Sequence, residues 1–74
     1  MQEGGKKHMD VNKIRESFPK GTRVRLIKML DFQAPPKGTK GTVHHVDDMG
    51  QIHVEWDNGS TLALILGEDL FEVI

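Results

Sequence analysis

The stretch Gln51-Ile52-His53-Val54-Glu55-Trp56-Asp57-Asn58-Gly59-Ser60-Thr61-Leu62-Ala63-Leu64 decides how this chain folds. Apolar and polar residues alternate from Ile52 to Trp56, the period of a half-buried strand. Asp57-Asn58-Gly59 is then a turn signal ahead of a second apolar run. Two registers compete. A two-residue loop sets Trp56 opposite Thr61 and Val54 opposite Ala63, leaving Leu62 and Leu64 on the face of His53 and Glu55. A three-residue loop, with Gly59 in the left-handed position of a bulge, sets Trp56 opposite Ser60, Val54 opposite Leu62 and Ile52 opposite Leu64. The second gathers the large apolar groups on one face and is the register expected.

Upstream, residues 39–46 read as the preceding strand. Val43 and Val46 stand three apart, which strict alternation cannot place on one face, so an extra residue at His44-His45, a β-bulge, is expected. Residues 22–29 alternate Arg23 and Arg25 with Val24 and Leu26, a half-buried strand, and residues 33–38, with Pro35-Pro36, form a loop. Downstream, residues 60–66 and 70–74 complete the set, with Gly67-Glu68-Asp69 as the turn between them. Asp10 or Asn12 caps a short helix carrying Val11, Ile14 and Phe18 at helical spacing, and Pro19 ends it. Five short, bent antiparallel strands without a long helix specify a small closed or nearly closed barrel, in which the last strand pairs with the first. Leu62 to Leu66 are apolar on both faces, so either the helix or a homodimer contact must cover the outer one.

Seventy-four residues make one small domain, assigned to residues 9–74, and a domain of this size buries only about 60% of its unfolded surface. Residues 1–8 have no apolar period and are read as an unstructured N-terminal extension, with Met9 as a possible natural start. Without cysteine there is neither a disulfide framework nor a thiolate metal site. Without a long apolar run there is no candidate membrane span, and a soluble cytoplasmic protein is expected. The charge pattern is unusual. Ten bases against four acids give the first forty residues +6, whereas residues 41–74 hold seven carboxylates and no Lys or Arg. Such segregation means either two surfaces of opposite sign or two halves that neutralise each other on folding.

Three constellations bear on function. The expected register brings His44, His45 and His53 together, a set that zinc or nickel could use, but it equally describes a polar sheet face. With no carboxylate at ligand spacing, no metal or other cofactor is expected. Lys20, Arg23, Arg25 and Lys28, joined by Lys37 and Lys40, would line one side of the barrel, where phosphate backbones are the natural partner; alternatively the arginines pair across strands with Glu72 or Glu55. There is no Tyr, and Phe32 is the one aromatic expected on a loop, so nucleic-acid binding would rest on charge without stacking platforms. Asp47-Asp48 and Glu68-Asp69 are adjacent acids, but they sit at turns and strand ends where carboxylates cap backbone amides, so catalysis is not expected.

Phe18-Pro19-Lys20-Gly21-Thr22-Arg23-Val24, Pro35-Pro36-Lys37-Gly38-Thr39-Lys40-Gly41-Thr42-Val43, Trp56-Asp57-Asn58-Gly59-Ser60 and Gly67-Glu68-Asp69 together resemble the bacterial and phage domain-of-unknown-function family 4314. The likeness covers residues 9–74. In architecture the pattern is also similar to SH3-like barrels. The resemblance implies a five-stranded SH3-like antiparallel barrel with a short N-terminal helix, often carried by mobile elements, and brings no activity with it. The functional expectation is therefore a noncatalytic interaction module, monomeric or weakly dimeric, with the surface Arg23, Arg25, Lys28, Phe32, Lys37 and Lys40. A protein partner is placed ahead of nucleic acid.

Overall fold

A computed structural model of the chain describes residues 10–74; the extension expected at residues 1–8, and Met9, lie outside the described residues. The elements are α1 (Val11–Ser17), β1 (Arg23–Lys28), β2 (Lys40–Val46), β3 (Ile52–Trp56) and β4 (Leu70–Val73). The four strands form one antiparallel sheet in the order β3-β2-β1-β4.

Helix α1 has seven residues and would melt in isolation. Asp10, not Asn12, is its cap: Oδ1 accepts from the backbone N–H of Asn12 at 3.0 Å and of Lys13 at 3.3 Å. Tertiary contacts do the rest. Ile14 is buried against Gly50 in the β2–β3 turn, and the Phe18 ring lies 5.5 Å from that of Phe71 on β4.

The sheet follows the sequence pattern closely. Val24 and Leu26 are buried between the half-buried Arg23 and Arg25. In β2, Val43 faces Val54 and His45 faces His53, so His44 is the extra residue; the expected bulge forms, and both Val43 and Val46 turn inward. β4 pairs with β1, Leu26 opposite Phe71 and Arg25 opposite Glu72, with a second irregularity where Ile27 has no partner. Val24, Leu26, Val43, Ile52, Val54 and Leu64 are fully buried, each contributing about 1.5–3 kcal/mol of apolar transfer free energy.

The fifth strand is a correction. Residues 60–66 keep the expected register at both ends: Trp56 N–H donates to the Ser60 carbonyl at 3.0 Å, and Ile52 and Leu64 exchange both backbone bonds. Between them no ladder forms, because the Leu62 carbonyl that Val54 would use accepts instead from the buried indole Nε1 of Trp56 at 2.8 Å. A buried indole N–H without an acceptor is costly, and this carbonyl satisfies it. Leu64 alone of this run is buried; Leu62, Ala63, Ile65 and Leu66 are half-buried. The run is thus not a two-faced strand, and the demand for a covering layer lapses. β3 and β4 do not pair, so the four-stranded sheet is open where a barrel would close.

Two turns are copies of one another. Pro19-Lys20-Gly21-Thr22 leads into β1 and Pro36-Lys37-Gly38-Thr39 into β2. In each, the threonine N–H and hydroxyl both donate to the proline carbonyl, at 3.0 and 2.7 Å in the first and 3.0 and 2.6 Å in the second. Gly21 and Gly38 take φ of 94° and 90°, the conformation that the third position of a type II turn demands. Each turn therefore presents a lysine at its second position.

Gly41 marks the closest approach in the sheet. A Cβ there would lie 2.5 Å from Val54 Cγ1 and 2.9 Å from Trp56 Cε3. Gly41→Ala is expected to cost about 1–3 kcal/mol through overpacking, read as a lowered urea midpoint in the fluorescence of Trp56. An unchanged midpoint would mean that the indole does not pack over this glycine.

Candidate functional site

The expected interaction surface divides into two parts. Arg23, Arg25 and Lys40 project from the outer face of the sheet, opposite the core. Both arginines are engaged there. Arg23 donates from Nη1 and Nη2 to the two carboxylate oxygens of Asp57, at 3.0 and 2.9 Å, and from Nη1 to Thr42 Oγ1 at 2.9 Å. Arg25 reaches Glu72, its direct cross-strand partner, with Nε at 2.7 Å and Nη2 at 2.6 Å. The expected pair with Glu72 therefore forms, while Arg23 selects Asp57 rather than Glu55. Arg15 completes the pattern by donating to Asp48 at 2.6 Å. All three arginines of the chain thus bind carboxylates from its acidic half, and for the arginines charge segregation resolves into neutralisation on folding.

The second part is the excursion from β1 to β2. Leu26 N–H donates to Thr39 O and Gly38 N–H to Leu26 O, which closes its neck. Lys28 and Lys37 flank that neck and make no ion pair with another described residue. At the tip, Ala34 N–H donates to Asp31 O at 2.8 Å, and Gln33 N–H to Asp31 Oδ1 at 2.8 Å. This doubly bonded turn carries Phe32, 98% exposed, next to Leu30, 84% exposed. Phe and Leu are more often buried, and here the two stand exposed on one loop.

The structure gathers the three histidines. His45 and His53 stack with centroids 4.3 Å apart and planes at 4°, and His44 Nδ1 lies 2.7 Å from His45 Nδ1. Parallel stacked rings direct their in-plane lone pairs along separate planes, so His45 and His53 do not converge on one metal position. Among the described residues no three potential ligands do. The stack serves the turn instead. Asp47 Oδ1 accepts from the N–H of Met49 and of Gln51, both at 2.9 Å, while Oδ2 meets His53 Nε2 at 2.8 Å.

An open groove of about 230 Å³ between the end of α1 and the β2 bulge escaped the sequence reading. Its walls, including Lys20 and His44, are far apart in the chain. Only the repeated Pro-Lys-Gly-Thr unit, which fixes where Lys20 stands, could have signalled it.

Two carboxyls are held below the usual aspartate range, Asp47 chiefly by the hydrogen bond from His53 and Asp57 chiefly by that from Arg23. Because the folded values are the lowered ones, the stability they contribute is present above the unfolded aspartate value, about 3.9, and is lost as pH falls toward the folded values. The urea midpoint is expected to decline as pH drops through about 4. Asp57→Asn is expected to lower the midpoint at neutral pH and flatten the acid decline; an identical pH profile in the variant would remove Asp57 from the explanation.

Among the described residues, no helix is long and apolar enough to cross a membrane. No curated protein matches the sequence. A family model described as a domain of unknown function, DUF4314, matches residues 7–74, nearly the whole chain. With its tryptophan-bearing hairpin, its glycine-threonine turns and that match, the chain belongs to the DUF4314 family.

Proposed function

We propose that this protein is a noncatalytic docking module, a small SH3-like domain that binds a protein partner through the excursion between β1 and β2. The observation that carries the reading is Phe32, an aromatic ring held almost fully in solvent on a hydrogen-bonded turn. Exposed aromatic side chains on preorganised loops are favourable anchors, since they bury large area at little conformational cost. Leu30 extends the apolar contact, and Lys28 and Lys37 supply a cationic rim that suits an acidic or mixed partner surface.

The SH3-like description rests on the order of the strands, with the last paired to the first, on the bulged β2, and on residues 60–64 folded back against β3. The noncatalytic reading rests on what the displaced titrations do. Arg23, Asp47 and Asp57 are each engaged with a partner that ties elements of the sheet together. The alternative, nucleic-acid backbone binding, is weakened because Arg23 and Arg25 are already engaged, leaving Lys20, Lys28, Lys37 and Lys40 of the expected basic set. A cytoplasmic setting accompanies the proposal, in keeping with a sequence that has no cysteine.

Phe32→Ser is expected to leave the unfolding free energy within about 0.5 kcal/mol of the parent. Association with a partner recovered by the parent chain should weaken at least about tenfold. Full retention of binding in the variant would remove the loop from the interface. Salt-dependent binding to DNA or RNA that is unaffected by Phe32→Ser would favour the nucleic-acid alternative.

A further inference from the structure

The groove beside the β2 bulge gathers basic side chains around a small space. One wall is built from Arg15 and Phe18 at the end of α1 and Lys20 in the following turn; the other is built from His44, His45 and Val46. No carboxylate lines it, in a chain that has eleven. Four nitrogen-bearing side chains therefore surround a small space beside the buried Val46 and the half-buried Phe18.

Each donor is positioned by something else. Arg15 is held by Nε donating to the Val46 carbonyl at 3.1 Å and Nη2 donating to Asp48, which leaves Nη1 without a partner among the described residues. Lys20 occupies the second position of a turn locked by Thr22 and makes no ion pair with another described residue. His45 is clamped from behind by its stack on His53, whose Nε2 is bound to Asp47.

The His44–His45 contact limits charge. Two Nδ1 atoms 2.7 Å apart can share one proton, since one nitrogen must accept while the other donates. A second proton would set two N–H groups head-on, unless an anionic oxygen enters and accepts from both. At about 230 Å³ the groove is smaller than the roughly 300–1,000 Å³ of sites that enclose a whole ligand, so it suits a charged group rather than an entire cofactor.

We propose that this groove binds a tetrahedral dianion, the phosphomonoester end of a small molecule, and that binding is coupled to uptake of one proton by the His44–His45 pair. Lys20 and Arg15 supply the fixed charge. Asp48 offsets part of that of Arg15 from outside the groove, and His53 with Asp47 faces the back of the His45 ring. The site is separate from the Phe32 loop, so the two proposals stand or fall independently.

The test is a titration of the full chain with inorganic phosphate at fixed ionic strength, followed by amide and side-chain NMR. Sulfate serves as a second probe because it stays dianionic across the range and so reports the protonation of the protein alone. Saturable shifts confined to Arg15, Lys20, His44 and His45 are expected. Sulfate should bind severalfold more tightly at about pH 5.5 than at about pH 7.5. Lys20→Gln should weaken both ions severalfold, and His44→Gln should reduce the pH dependence of sulfate binding. Both residues are exposed, so the urea midpoint should hold, and Phe32→Ser should change nothing. Shifts that never saturate, that spread over all lysines, or that persist in the Lys20→Gln/His44→Gln double variant mean an adventitious ion only and overturn the site. Saturable binding with the same affinity at both pH values overturns the proton coupling. A phenyl phosphate that binds no better than chloride, while phosphate saturates, overturns the phosphomonoester assignment in favour of a free-ion site.

Discussion

The indole of Trp56 has to be dry and hydrogen-bonded at once, and much of the sheet is arranged around that requirement. Its ring lies over Gly41, where no Cβ intervenes, and its N–H takes the carbonyl of Leu62. The first contact holds β2 against β3. The second bends residues 60–63 away from a ladder while bringing Leu64 back to Ile52, so the last fully buried side chain seals the end of the core. A single side chain thus determines both the closest packing in the sheet and the path of the segment beyond it.

Around this apolar centre, electrostatics join parts of the chain that sequence keeps apart. Arg15 reaches from α1 to Asp48, Arg23 from β1 to Asp57 beyond β3, and Arg25 from β1 to Glu72 on β4. Exposed pairs of this kind are screened by water and salt, so they do not drive folding. Their value lies in register. Sliding β4 along β1 by one residue would turn Glu72 away from Arg25, which raises the cost of that alternative pairing. On the outer face of the sheet the same pairs occupy the guanidinium groups of Arg23 and Arg25, so lysine supplies the remaining positive charge there.

Much of the architecture was legible from local rules. Alternation gave β1 and β3; the three-residue spacing of Val43 and Val46 required the bulge; Asn58-Gly59 chose the hairpin register, with Gly59 at φ 92°. These depend on periods and turns, which are written in consecutive residues. The missing fifth strand depended on which donor would claim one carbonyl, and no pattern of side-chain types records that competition. Arg23 choosing Asp57 over Glu55 depended on a diagonal reach across two strands, again a matter of geometry rather than spacing. The groove was invisible because its two walls meet through tertiary contacts, the packing of α1 on β2 and the bond from Gly21 N–H to the Val43 carbonyl, and not through neighbouring residues. The exposed Phe32 was anticipated as a loop residue, but the Asp31 bonds that hold its turn were not.

The neck of the β1–β2 excursion has an evolutionary corollary. Because Leu26 and Thr39 are bonded to each other and Pro36-Lys37-Gly38-Thr39 re-enters the sheet as a self-contained unit, the exposed tip at residues 30–33 is held between two anchors, Met29 packed on the core and the buried Pro35. Doubling the length of such a loop adds only about 0.6 kcal/mol of closure entropy. Insertion, deletion or replacement should therefore be best tolerated at that tip, between the two anchors, while the scaffold beneath stays constant, much as antibodies vary their hypervariable segments on an invariant framework.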